Sequence, residues 1–436
     1  MTSTKDTMLA LAKTYYDETF AKKPFEPGKT VLPANGKVLD AEDLQFLIES
    51  SLDMWLTSGR FSKTFEKEIA QVFERRFGLF VNSGSSANLT ATAALTSVLL
   101  KNRQLQPGDE VITPAAGFPT TLNPALQYGL VPVFVDIDLS IHNVTPELIE
   151  AAITPKTKLI AAAHTLGNPF DSKAIAEICK KHNIWFLEDC CDALGAKIDG
   201  HSVGSYGDIA TCSFYPAHHI TTGEGGAVMT SNPMLKKTAE SFRDWGRDCF
   251  CPTGAENSCG KRYEWQMGDL PFGYDHKYIY THLGFNLKAT DMQAALGVSQ
   301  LKKLPEFVAK RQSNAAFLKS ELIRQGMGEY MSFPEALPHA EPSWFGFLIT
   351  LTDSRLKRAK ILAALNDAKV GTRLLFGGNM TKQPAYRDIP RRIVGTLEHT
   401  DTVMNHSFYI GVWPGLGTPE LTYMVETLVS TIKRMV

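Results

Sequence analysis

From about Asp40 onward, apolar residues along the chain alternate between two spacings. In LQFLIESSLDMWL and TFEKEIAQVFERRF they recur every three to four residues, which predicts helices with one buried face. Between such stretches lie short runs that are apolar at most positions: LFVNSG, DEVITPA, VPVFVDI, KLIAAAHT and NIWFLEDC. These runs suit strands buried on both faces, because parallel sheets carry helices on each side. The segments that connect them, TPELIEAAI and DSKAIAEICKKH among them, return to helical spacing. The expected fold class is α/β, with a large mixed, mainly parallel sheet. A long helical region, DMQAALGVSQLKKLPEFVAKRQSNAAFLKSELIRQ, leads to a final stretch where WFGFLITL and ELTYMVETLVSTIKRMV predict a smaller α+β domain. The chain is thus expected to divide into an N-terminal segment (1–50), a large domain (51–305) and a small C-terminal domain (306–436).

Composition adds exclusions. A net charge of −1 leaves no electrostatic footprint for nucleic acid or an anionic membrane. No apolar run approaches the length of a membrane span. The opening MTSTKDTMLALAKTYYDETF puts charges inside its apolar stretch and has no signal-peptide pattern, so a cytoplasmic location is expected. Seven cysteines, an odd number, argue against a disulfide framework. Five of them fall in two tight groups, Cys190-Cys191 and Cys249, Cys251, Cys259, for which a metal is the natural explanation.

Three segments carry candidate chemistry, all at strand ends, where open α/β sheets place ligands. In Asn82-Ser-Gly-Ser-Ser-Ala-Asn88, Gly84 permits a tight turn and the N–H groups of Ser85, Ser86 and Ala87 open a helix, which suits either a phosphate or an ordinary cap. Glu188-Asp189 ends an apolar strand; Asp189 could hold a pyridine nitrogen protonated, or simply cap the next turn. The third segment is Ser213-Phe-Tyr-Pro-Ala-His218-His219-Ile-Thr-Thr-Gly223-Glu-Gly-Gly226.

With that third segment the chain resembles the sugar aminotransferases of the aspartate aminotransferase superfamily, whose signature is Ser-Phe-x-x-x-Lys before a Glu-Gly-Gly turn. GRFSKTFEKEIA, SGSSANL, PAAGFPTTLNP, LEDCCDALGA and HLGFNLKATDMQAAL follow the family's order over most of residues 50–300. The resemblance implies a pyridoxal-phosphate transferase fold (fold type I). It also implies that Ser85, Ser86 and Ser213 hold the cofactor phosphate, together with Asn286 of the partner subunit in a homodimer. Phe118 would stack on the ring and Asp189 would pair with its nitrogen. Two positions depart from the pattern: His218 stands where the family keeps its lysine, and Asp192 where it usually keeps a Gln.

An imidazole cannot form the imine by which that lysine tethers the cofactor, but it remains a base near neutral pH. The cofactor is therefore expected as pyridoxamine 5′-phosphate (PMP), held without a covalent bond, with His218 moving the proton at its C4′ carbon. The reaction is then a dehydration. The cysteines read C-x57-C-x-C-x7-C from Cys191 through Cys249 and Cys251 to Cys259. Four thiolates suit either zinc or an iron–sulfur cluster. The spacing resembles the dehydrase branch of the family, which combines PMP with a [2Fe–2S] cluster; Cys190 competes with Cys191, and family spacing favours Cys191. That likeness implies C3 deoxygenation of CDP-4-keto-6-deoxy-D-glucose, with electrons from an NADH-dependent flavin and iron–sulfur reductase, toward 3,6-dideoxyhexoses of surface polysaccharide. Cys179 and Cys212 are expected as packed thiols. Arg373, Lys288 and Arg247 are candidates for the diphosphate, Tyr215 and Tyr278 for pocket walls, and His219 for a supporting role. A cluster-free dehydratase of a GDP-sugar, a pyridoxal-phosphate aminotransferase with a displaced lysine and a zinc-stabilised binding protein are the alternatives.

Overall fold

The computed structural model describes residues 3–436. The apolar runs form one sheet in the order Phe77–Val81, Gly226–Thr230, Ile209–Ser213, Trp185–Asp189, Thr157–Ala163, Glu110–Pro114, Val131–Val135 and Arg392–Ile393. Gly226–Thr230 runs antiparallel to both of its neighbours, and the other pairings are parallel. The two-residue strand period sends Leu159 and Leu187 to one face and Ile160 and Phe186 to the other. Both faces are covered by helices, and each such side chain contributes about 1.5–3 kcal/mol when fully buried.

A smaller antiparallel sheet has the order Met331–Ser332, Gly346–Leu351, Ser407–Gly411, Thr372–Arg373. It shares a core with the helices Leu304–Arg324, Arg358–Asp367 and Thr418–Lys433. The N-terminal segment spans both parts. Leu32 bridges Val370 beside the smaller sheet, while Asp43 on helix Ala41–Leu52 is held by Gln300 and Lys303.

Two helices end differently from the pattern's expectation. Ala41–Leu52 stops short of Met54, whose φ of 52° is left-handed. The long helical region is two helices, Asp291–Leu301 and Leu304–Arg324, because Pro305 has no N–H to continue the first and is tolerated only in an opening turn. Cys179 and Cys212 are buried in apolar clusters on the sheet, as expected of packed thiols.

His142 lies at the junction of the two sheets, with Nε2 2.9 Å from Thr350 Oγ1. Burial lowers its imidazole to about 4 from an ordinary 6.5. Between those values the unfolded chain binds a proton that the folded chain does not, so the contribution is complete above pH 6.5 and is lost as pH falls toward 4. Going from pH 7 to pH 5 should cost about 2 kcal/mol. Urea unfolding of the parent and of His142→Asn, which tolerates the local φ of 54°, should show a shallower pH slope in the variant. Equal slopes would rule His142 out as the group responsible.

Candidate active site

The loops leaving the carboxyl ends of the parallel strands enclose a cavity of about 460 Å³. Its walls include Ser85, Phe118, Asp189, Cys191, Asp192, Ser213, Tyr215 and His218 from around the large sheet, and Phe345, Arg373, Phe376 and Tyr409 from the C-terminal part. Among the described residues, no lysine lines it.

At the floor, helix Gly84–Leu95 begins against Ser213. Ser83 caps it, accepting from the Ser86 N–H at 3.0 Å and donating to Ser86 Oγ at 3.0 Å. A Cβ on residue 84 would stand 2.5 Å from Ser213 Cβ, so only glycine lets the helix start come this close. Ser85 and Ser213 therefore meet at the wall beside an electropositive helix terminus. Ser86 is engaged with its cap and lies outside the lining. Overpacking of this kind costs about 1–3 kcal/mol. Gly84→Ala is accordingly expected to weaken PMP binding about ten- to hundredfold, measured by equilibrium dialysis; parent-like affinity would remove the phosphate turn from this place.

Asp189 is 3% exposed, and its carboxylate is fixed from both sides. Oδ2 accepts from Asn88 Nδ2 at 2.8 Å and Thr121 Oγ1 at 2.7 Å, and Oδ1 accepts from the Cys191 N–H at 3.0 Å. Asn88 is itself held by Thr211 Oγ1 at 2.7 Å. Phe118, half exposed, sets its ring edge-to-face against Phe376 and keeps a face open.

His218 Nδ1 lies 3.4 Å from Asp192 Oδ1, within ion-pair range but without hydrogen-bond alignment. Burial pushes the Asp192 carboxyl up, against the pull of His218 and Arg311. Arg311 is fully buried and binds the backbone, donating to the carbonyls of Trp344, Phe345 and His218 at 3.2–3.3 Å. It thereby ties the histidine turn to the strand of Phe345, whose ring lies 5.1 Å from that of His218. His219 points away, with Nε2 2.8 Å from the Ser343 carbonyl, and burial drives its imidazole well below its ordinary value. Its role is to anchor the turn.

Of the other predicted residues, Arg373 and Tyr215 line the cavity and Tyr278 does not. Arg247 and Lys288 flank the Trp245 ring at 4.5 and 3.6 Å, and Lys288 pairs with Asp244 at 3.2 Å. Asn286 bridges Asp244 through its backbone, likewise outside this cavity. The cysteines separate: Cys191 faces the cavity, whereas Cys249, Cys251 and Cys259 line a small pocket with Arg262 and His276. Cys190 is buried beside Glu188 and His164. Asn88, Thr121, Arg311, Phe345 and Tyr409 were not singled out from sequence, although all but Tyr409 stand inside segments quoted above.

A serine-lined helix start, a fixed carboxylate at depth and an open aromatic face suit a phosphorylated pyridine, and the fold around them is that of the pyridoxal-phosphate-dependent aminotransferases. The DegT/DnrJ/EryC1/StrS aminotransferase family matches residues 37–429, and the chain belongs to that family. It is 54% identical over 417 residues to the lipopolysaccharide biosynthesis protein RfbH of Salmonella typhimurium, covering 95% of each chain. To the dTDP-4-dehydro-2,6-dideoxy-D-glucose 3-dehydratase of Saccharopolyspora spinosa it is 47% identical over 431 residues, 99% of this chain and 92% of that one. Among solved structures, the E. coli GDP-4-keto-6-deoxy-D-mannose-3-dehydratase with bound hydrated PLP superposes with a TM-score of 0.81 at 28% identity, covering 91% of this chain and 99% of that one.

Proposed function

We propose that this chain is a PMP-dependent nucleotide-sugar 3-dehydrase that deoxygenates CDP-4-keto-6-deoxy-D-glucose at C3, with a [2Fe–2S] cluster relaying electrons from an NADH-dependent flavin and iron–sulfur reductase. One observation carries the reading: His218 occupies a cavity otherwise furnished for vitamin B6, and no lysine lines that cavity. Dehydratases among its relatives support dehydration as the reaction class. The name of the Salmonella typhimurium relative supports a product bound for surface polysaccharide.

When bound, PMP supplies an amine that condenses with the sugar ketone and a ring that accepts electrons. The chain's own residues do the rest. Ser85 and Ser213 hold the phosphate, with Ser86 shaping the turn. Asp189 keeps the ring nitrogen protonated, and Phe118 covers one face. Asp192 beside Nδ1 favours the tautomer whose Nε2 is free to take the proton at C4′. Arg373, which lines the cavity, suits the substrate diphosphate. Asn286 reaches the cofactor phosphate of the partner chain in a homodimer, a role that the family likeness supports.

The likeness to the E. coli enzyme favours a second reading, a dehydratase of a GDP-sugar without a cluster. Offering the anaerobic protein CDP-4-keto-6-deoxy-D-glucose and GDP-4-keto-6-deoxymannose separately, with PMP and a chemical reductant, separates the two. A reductant-dependent 3-deoxy product from the CDP-sugar alone is expected, read by mass spectrometry. Turnover of the GDP-sugar by a colourless protein would establish the second reading instead.

A further inference from the structure

We propose that Phe376 is a positioning residue for the cofactor: held in a left-handed backbone conformation, it fixes the Phe118 ring that covers the pyridine. The inference rests on the preceding reading for what Phe118 covers, and on geometry for how Phe118 is held.

Phe118 has little of its own to hold it. It stands at the N-cap of helix Pro119–Gln127, makes no capping bond through its side chain and is 47% exposed. An aromatic side chain that open to solvent has more than one staggered rotamer within reach. The ring beside it is Phe376, with centroids 6.2 Å apart and planes at 67°. Edge-to-face contact of this kind is what the ring quadrupoles favour. A partner at that angle covers at most one face of Phe118 and leaves the other to a ligand. Both rings line the cavity.

Phe376 is itself placed against its backbone preference. Its φ of 45° is left-handed, where a Cβ crowds the following carbonyl and a bulky residue is an outlier. The turn already contains Gly377 and Gly378, yet a phenyl group occupies the position before them. Such strain persists only where the surroundings over-determine it, and it gathers at ligand sites. Here the surroundings do so from both sides. Leu375 is buried in a cluster with Phe345, Leu348 and Tyr409 of the C-terminal part. The Gly377 N–H donates to the Gly117 carbonyl at 3.1 Å, and the Met380 N–H donates to the Ala115 carbonyl at 2.9 Å. Residues next to the two rings are therefore joined backbone to backbone. Asn379, also buried, donates to Asp401 Oδ1 at 2.7 Å and secures the far end of the turn. The helix that Phe118 opens also carries Thr121, which donates to Asp189 Oδ2 at 2.7 Å. Holding Phe118 from the C-terminal part thus steadies the start of the element that fixes Asp189.

The test uses the full chain and PMP, with affinity read by equilibrium dialysis and ring placement by circular dichroism in the absorption band of the bound pyridine. Glycine accepts the left-handed backbone, so Phe376→Gly removes the ring without opposing the turn. It should weaken PMP binding about two- to tenfold, the worth of one aromatic pair, and diminish the dichroic band. Phe376→Tyr keeps the ring and should restore both. In a Phe118→Ala background, Phe376→Gly should change neither quantity further, because Phe376 acts through Phe118. An equal loss in that background would overturn the proposal, as would parent-like affinity and dichroism in Phe376→Gly while Phe118→Ala loses both; in each case the stacking role of Phe118 stands. If Phe118→Ala itself binds PMP like the parent, the stacking role falls and this proposal falls with it. A parent chain that binds no PMP would overturn the functional reading as well.

Discussion

Replacing His218 with asparagine is expected to lower sugar dehydration by about 10²–10⁴-fold, the range associated with a positioned proton-transfer group. The side chain should be removable without collapse of the turn, because Arg311 grips the carbonyl of residue 218 and His219 anchors at Ser343 through its own ring. PMP should remain bound, since neither Ser85, Ser213 nor Asp189 depends on the imidazole. Two readings check this: product formation from the CDP-sugar, and exchange of the C4′ hydrogens of bound PMP in heavy water. Both should fall together. A variant that exchanged these hydrogens at the parent rate would move the proton-transfer role to another group.

The second large effect is expected at Asp189. Its two oxygens accept three hydrogen bonds, from Asn88, Thr121 and the Cys191 N–H. An asparagine there must point its amide N–H₂ at one of those donors, and the site loses the negative charge that holds a pyridine nitrogen protonated. Each lost hydrogen bond to a charged group is worth about 1.5–3 kcal/mol. Asp189→Asn should therefore weaken PMP binding at least about tenfold and slow turnover further, because the neutral ring is a poorer electron acceptor. Measuring PMP affinity and single-turnover rate separately distinguishes the two losses. Unchanged turnover at saturating PMP would exclude Asp189 as the partner of the ring nitrogen.

The chemistry of the floor was legible because it is local. Gly84, Ser85, Asp189, Ser213 and His218 each sit within a few residues of a strand end, and buried parallel strands announce themselves as apolar runs. What was not legible is whatever two distant segments make together. Asn88 and Thr121 belong to different helices and become a pair only through one oxygen of Asp189. Arg311 reads as a charge on an amphipathic helix, yet it is the largest fully buried side chain and serves three backbone carbonyls. His276 lies 17 residues beyond Cys259 and meets it only because the intervening loop folds back. The strand Arg392–Ile393 is too short to show any periodicity.

That two-residue strand has a mechanical consequence. It comes from the C-terminal third of the chain but adds to the edge of the large sheet beside Val131–Val135, where Arg392 pairs with Glu110 at 2.8 Å and donates to the Ala152 carbonyl. Leu32 makes the reciprocal stitch, carrying the N-terminal segment to Val370. The backbone therefore crosses between the two sheets in both directions, like a double lacing. Cutting the chain near residue 305 would not release two independent halves, since each would keep a strip belonging to the other. The cavity walls are drawn from both sides of that seam.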